Sequence, residues 1–222
     1  MGDWAIETQN LTKRYGPRIV LRGIDLCVNA GEFLALFGPN GAGKSTLIRI
    51  LCTLMKPSSG TAKVAGHDVV DDPDGVRRNV GLLSPSTHLY DDLTAAENLR
   101  FYLCLRGADA IDLRLNDAFK AAGLDHAMDQ RVRTFSTGMK KRLCIAKIMA
   151  YPPRVLFLDE PYSGLDEGGI RMLNRFLLGL KKDGCTVFMV THYREQGLAT
   201  ADRAIFLDHG RLRPEPCLRG EG

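Results

Sequence analysis

No stretch of the 222 residues approaches the ~18 consecutive apolar side chains that a membrane-spanning helix requires. A channel is therefore excluded, and any membrane association must come through a partner. The six cysteines, at positions 27, 52, 104, 144, 185 and 217, form no C-x-x-C pair and have no neighbouring histidines. Neither a zinc module nor a disulfide framework follows from that spacing, and most of the thiols are expected to be reduced and buried. The N-terminal MGDWAIETQN lacks the basic-then-apolar pattern of a leader, and Ile6 breaks the pattern for myristoylation. Charge has no dominant sign: 30 basic and 26 acidic residues are interspersed for a net +4, which by itself argues for no nucleic-acid partner. These absences leave an ordinary globular chain, expected to be cytoplasmic. Its length allows one substantial domain or a domain carrying an inserted subdomain.

Four short apolar runs are present: GEFLALFG (31–38), RVLFLDE (154–160), CTVFMVTH (185–192) and RAIFLDHG (203–210). Each is apolar on both faces and too short for a helix, which predicts strands of a parallel sheet covered on both sides. TLIRILCTLM (46–55) and IRMLNRFLLGLKKDG (170–184) have helical spacing, the second stopped by Lys-Lys and Gly184. From about residue 94 to residue 150 the pattern is helical throughout. Thr94 and Glu97 form a capping box, Gly123 closes a helix over 112–124, and Ser136 opens one that the paired prolines stop. The expected organisation is an α/β core from 1–84 and 151–222, interrupted by a helical insert over 85–150. VGLLSPSTHLYDDLT (80–94) is the seam between them. The tail RLRPEPCLRGEG is expected to be a short strand followed by a frayed end.

GPNGAGKST, from Gly38 through Pro39, Asn40, Gly41, Ala42, Gly43, Lys44 and Ser45 to Thr46, matches G-x-x-x-x-G-K-[ST] between a strand and a helix. Glycines let successive amides turn inward on a phosphate, and the following helix adds the partial charge of its N-terminus. Lys44 would reach the β- and γ-phosphates and Ser45 would offer a hydroxyl to Mg2+. VLFLDEP (155–161) ends a buried strand on two carboxylates. Asp159 would hold the metal and Glu160 would polarise an attacking water, although alone the pair could be a solvated strand end. His192, closing the next strand, could touch the γ-phosphate or be merely structural.

In this order the glycine loop, the helical insert, FSTGM (135–139), LDEP (158–161), SGLD (163–166) and TH (191–192) resemble an ATP-binding-cassette (ABC) ATPase over nearly the whole chain. The resemblance implies a P-loop NTPase fold: a mostly parallel α/β sheet core with flanking helices, an N-terminal antiparallel β portion and an inserted all-helical subdomain. It implies that Tyr15 stacks on the adenine of ATP and that His192 is the switch histidine. It also implies that Ser136 and the Gly138 amide meet the γ-phosphate held by a second copy, with Asp166 crossing the dimer interface. The family pattern is broken at Thr137 and Met139, where glycine and glutamine usually stand, and at Pro85, which takes the place of a glutamine between Ser84 and Ser86.

The single cassette, Met139, LYDDLTAAENLRFY and LDEPYSGLD most resemble the ATPase subunit of the bacterial haem exporter of cytochrome c maturation. Exporters of drugs, lipids and polysaccharides carry similar cassettes. Nothing in the chain is expected to bind haem itself, since His67, His88, His126 and His209 are isolated and expected at the surface. The resemblance implies a dimer that hydrolyses ATP with Mg2+ on the inner face of the cell membrane, docked to integral membrane subunits near Leu89 and Tyr90, with no nucleic acid. A soluble cassette acting on nucleic acid or the ribosome would be expected to carry coiled-coil arms, zinc modules or a tandem cassette, and a P-loop kinase would leave FSTGM and SGLD without a role.

Overall fold

The computed structural model describes residues 4–214; Cys217 and the expected frayed tail lie outside the described residues. Strands β1 (Trp4–Tyr15), β2 (Arg18–Asn29), β4 (Ser59–Val64) and β5 (His67–Asp68) form an antiparallel sheet in the order β2-β1-β4-β5. A six-stranded sheet follows from β3 (Phe33–Phe37), β6 (Val80–Leu83), β7 (Val155–Asp159), β8 (Thr186–Val190), β9 (Arg203–Asp208) and β10 (Arg211–Pro214). Its order is β10-β9-β3-β8-β7-β6, parallel except for the β9/β10 pair. The expected α/β fold with an antiparallel β portion is therefore observed; that portion also recruits β4 and β5, which lack a strong apolar alternation.

Every residue of β3, β7 and β8 is buried, as a sheet covered on both faces demands. The two-residue period divides them. Leu34, Leu36, Phe157, Phe188 and Val190 face a core shared with the antiparallel sheet and α1 (Lys44–Leu51). Leu156, Leu158, Val187 and Met189 face α5 (Thr137–Ala150) and α6 (Glu167–Lys182). Strand β8 lies between β3 and β7, so the loops leaving β3, β7 and β8 emerge at one edge of the sheet, where an open parallel sheet binds its ligands.

Helices α3 (Ala95–Leu105) and α4 (Ile111–Ala122) pack with α5 around a separate core that includes Leu99, Leu103, Phe119 and Leu143. Helix α5 also sends Ile145 and Ile148 into the core against β7 and β8, so it belongs to both packing units. The capping box forms as expected: Thr94 Oγ1 accepts the Glu97 amide at 3.1 Å, and Glu97 accepts the Thr94 amide at 2.7 Å. Helix α1 starts two residues earlier than its apolar spacing suggests and stops at Leu51. Helix α6 starts at Glu167, because Asp166 accepts the Gly169 amide and caps it there. Two further helices, α2 (Pro73–Asn79) and α7 (Arg194–Thr200), complete the core.

Most of the described cysteines are free and buried as expected: Cys52, Cys144 and Cys185 are buried, while Cys27 and Cys104 are exposed. Burial pushes the thiols of Cys144 and Cys185 up to about 11, which keeps them protonated and unreactive. His67 is not isolated: its Nδ1 lies 2.7 Å from Asp72 Oδ2. Leu89 is half-buried and packs against both the helical core and the core beneath α5 and α6, so only part of its side chain is left free. Beside it, Tyr90 is 54% exposed and meets Phe101 edge-on at 5.3 Å.

Candidate functional site

The loop between β3 and α1 is shaped by glycine at two positions. Gly38 runs so close to the β9 end that a Cβ would lie 2.2 Å from the Leu207 carbonyl oxygen. Gly43 has φ 109° and is pressed against Leu21 and Val20, so a side chain there is excluded by conformation and by space. Gly43 is also the N-cap of α1 and offers no side-chain acceptor, so no side-chain cap occupies the first amides of that helix. This end of the helix opens onto a cleft of about 460 Å³, lined by Tyr15, Arg18, Asn40, Gly41, Lys44, Ser45, Thr46, Asp159 and Glu160.

Lys44 is 8% exposed, and its ammonium donates to the carbonyls of Gly38 at 2.7 Å and Pro39 at 3.0 Å. Burial lowers its pKa, while the carboxylates of Glu160 and Asp159 pull it back. Asp159 is 7% exposed at the end of β7. Its carboxylate and the Ser45 hydroxyl are hard oxygen donors on one cleft, a set that suits Mg2+. Glu160 has φ 50°, a left-handed conformation unusual for a residue with a side chain. Its amide donates to the Val190 carbonyl at 2.9 Å, and its carbonyl accepts from the Ser163 amide at 3.4 Å. Its Oε2 accepts the His192 amide at 3.3 Å and lies 2.8 Å from His192 Nδ1. His192 is thus seated on the carboxylate. Tyr15, 44% exposed, donates its hydroxyl to Met55 Sδ at 2.9 Å and presents its ring at the cleft wall.

Of the expected residues, Gly38, Pro39, Ala42 and His192 adjoin this cleft in the chain or through Glu160 without lining it, and Ser136, Gly138 and Asp166 lie on other elements outside it. Ser136 accepts the Met139 amide at 3.2 Å as the N-cap of α5, beside Gly138. Asp166 accepts from Arg142 Nη2 at 2.7 Å and from the Gly169 amide at 2.8 Å. The Arg142 hydrogen bond, then the Gly169 amide, holds the Asp166 carboxyl below the usual range. Ser136, Thr137 and Asp166 are all exposed. Pro85 enters a neighbouring cleft of about 160 Å³ together with Ser84, Ser86, His88, Ser45 and Asp159. Ser84 Oγ donates to the Ser86 carbonyl at 2.8 Å. His88, expected as an unconnected surface histidine, therefore faces the same cleft as Ser45 and Asp159.

Among the buried polar residues that sequence reasoning passed over, two stand on helices of the insert. Asn98 is 4% exposed and ties down the 85–93 segment: it accepts the Tyr90 amide at 2.8 Å and donates to the carbonyls of Tyr90 at 3.0 Å and Thr94 at 2.9 Å. Lys141 is 5% exposed, and its Nζ donates to the Glu160 carbonyl at 3.2 Å. Both stand on the apolar stripes of their helices, a signal readable from spacing alone. A cleft of about 780 Å³ lies at the opposite ends of β7 and β8 and holds none of the expected residues.

The profile of a family described as "ABC transporter" matches residues 21–163. The daunorubicin/doxorubicin resistance ATP-binding protein DrrA of Streptomyces peucetius is 41% identical over 216 residues, 95% of this chain; the chain spans 64% of that protein's length. The maltose/maltodextrin import ATP-binding protein MalK of Escherichia coli is 34% identical over 94% of this chain and 57% of its own length. A solved dimeric post-hydrolysis state of the ATP-binding cassette MJ0796, bound to ADP and Pi, superposes with a TM-score of 0.86 at 30% identity, covering 97% of this chain and 99% of that one. No helix among the described residues is long and apolar enough to cross a membrane.

Proposed function

The chain belongs to the ABC transporter family as one of its ATPase cassettes, and from that premise we propose that two copies close around two ATP molecules and power export of a drug through separate membrane subunits. The observation that carries this reading is the meeting of Lys44, Ser45, Asp159 and Glu160 in one cleft. Amides of residues 40–46 and the start of α1 receive the phosphates, and Lys44 neutralises their charge. Ser45 and Asp159 would hold Mg2+, which when bound would offset the charge of the phosphates. Glu160 takes the proton of the attacking water on its carboxylate, while His192, 2.8 Å away, fixes the direction of that carboxylate. Tyr15 packs on adenine.

Ser136, Gly138 and Asp166 act on the second copy. The exposure of Ser136 and Asp166, and the partial positive charge at the N-terminus of α5, support that role. Pro85 has no side-chain oxygen, so the polar contact usual at its position falls to Ser84 or Ser86 beside Ser45 and Asp159. The helical unit over 85–150 has its own core and moves relative to 1–84 and 151–222 through α5, which packs in both cores.

The cargo reading rests on the likeness to the daunorubicin/doxorubicin resistance protein, and it displaces haem, for which the relatives offer no support. Inside-out membrane vesicles holding the chain and its membrane subunits are expected to take up doxorubicin only with ATP; ATP-driven uptake of haem without doxorubicin would reverse the assignment.

Docking to those subunits, on the inner face of the membrane, uses the exposed Tyr90–Phe101 pair. Replacing both aromatics with serine is expected to abolish co-purification with the membrane subunits while ATP affinity stays within about twofold, because neither ring lines the nucleotide cleft. Replacing half-buried Leu89 should instead lower the melting temperature. Intact co-purification of the double variant would place docking elsewhere.

A further inference from the structure

We propose that Lys141, on the helix that opens with FSTGM, is a positioning residue that holds Glu160 in its left-handed backbone conformation and so aims the catalytic carboxylate. The proposal rests on the reading of Glu160 as the general base. A residue with a side chain at φ 50° persists only where its surroundings over-determine it. Glu160 is held through each of its polar groups: the amide by the Val190 carbonyl, the carboxylate by His192, and the carbonyl by the Ser163 amide and the Lys141 ammonium. The first two anchors belong to the sheet edge, and the Ser163 contact, at 3.4 Å, is long for a hydrogen bond. Lys141 reaches the carbonyl at 3.2 Å from another element, at 5% exposure.

The chemistry of the contact favours a directing role over a packing one. A buried ammonium costs more than an apolar side chain of the same length unless it is paired, and here it faces a carbonyl beside two carboxylates. Burial lowers the Lys141 pKa, and Asp159 and Glu160 are among the groups that oppose the shift. The same helix turn grips two further segments. Arg142 binds Asp166 at 2.7 Å, and the Cys144 thiol points at the Thr87 carbonyl at 3.4 Å. Movement of α5 is therefore transmitted directly to the turn after β7, with Lys141 as the contact that reaches the general base.

The test is Lys141→Met, which keeps length and removes the donor, with Lys141→Arg as the variant that restores charge and donors. Loss of one charged hydrogen bond predicts a fall in kcat of about tenfold or more for the methionine variant. Its KM for ATP, and its affinity measured by displacement of a fluorescent ATP analogue, should stay within about threefold, because Lys141 is absent from the cleft lining. The arginine variant should recover most of kcat. In a Glu160→Gln background, Lys141→Met should cause no further loss, since a residue that acts only through the base is silent once the base is gone. An unchanged kcat in Lys141→Met, failure of arginine to restore it, an equal loss of ATP affinity, or an additive loss in the Glu160→Gln background would overturn the proposal. Full turnover in Glu160→Gln alone would instead refute Glu160 as the base, so the two failures are distinguishable.

Discussion

Glu160→Gln should reduce ATP turnover roughly 10²- to 10⁴-fold, the range contributed by a positioned general base. The substitution keeps the size of the side chain and an oxygen that can accept the His192 amide, so the left-handed turn and the cleft should persist. What disappears is the basicity needed to take a proton from water. If two copies share the nucleotides, arrested hydrolysis should leave them closed, and light scattering at saturating ATP should report a dimer. A monomer under those conditions would sink the shared site, and unchanged turnover would sink the assignment of the base.

Lys44→Ala should be comparably severe, with turnover falling on the order of 10²- to 10³-fold, as when a preorganised electrostatic donor is removed from a transferring group. Its ammonium is buried at the floor of the cleft, donating to two carbonyls of its own loop and facing Asp159 and Glu160. Removing it takes away one of the two buried ammonium groups, Lys44 and Lys141, that offset those carboxylates, which also opposes binding of a polyanion. Nucleotide binding should therefore weaken by at least about tenfold, readable by titration with a fluorescent ATP analogue. Full activity would remove the glycine loop from the catalytic site.

The two substitutions should differ in one respect. Glu160→Gln leaves the phosphate cradle whole and should accumulate bound ATP, whereas Lys44→Ala damages the cradle and should not. Their combination should resemble Lys44→Ala alone, because an unbound nucleotide cannot be trapped.

Much of this site was legible in the sequence because its constraints are local. The glycine loop sits between an apolar run and a helical one, and Thr94 and Glu97 satisfy each other's amides three residues apart. Asp159 is the last of five buried strand residues and Glu160 follows it, and Ser136 marks the start of α5. In each case the partners lie within a few residues, so spacing alone reveals the geometry. The same reasoning gave Leu89 to the surface, because an apolar residue in a loop carries no sign of which core will cover it.

Sequence by itself therefore determined the class of fold, the place of the glycine loop between β3 and α1, and the pair of carboxylates at the end of β7, since strand period, turn chemistry and capping are short-range. Only the tertiary structure decided that β8 lies between β3 and β7, and that His192 is seated on Glu160. Only it showed that Asn98 secures the Tyr90 backbone and that Lys141 reaches the Glu160 carbonyl from another helix. The physical reason is that a buried polar group must find its partner wherever the packed chain brings one within hydrogen-bonding distance, and that partner is chosen by packing, not by proximity in sequence.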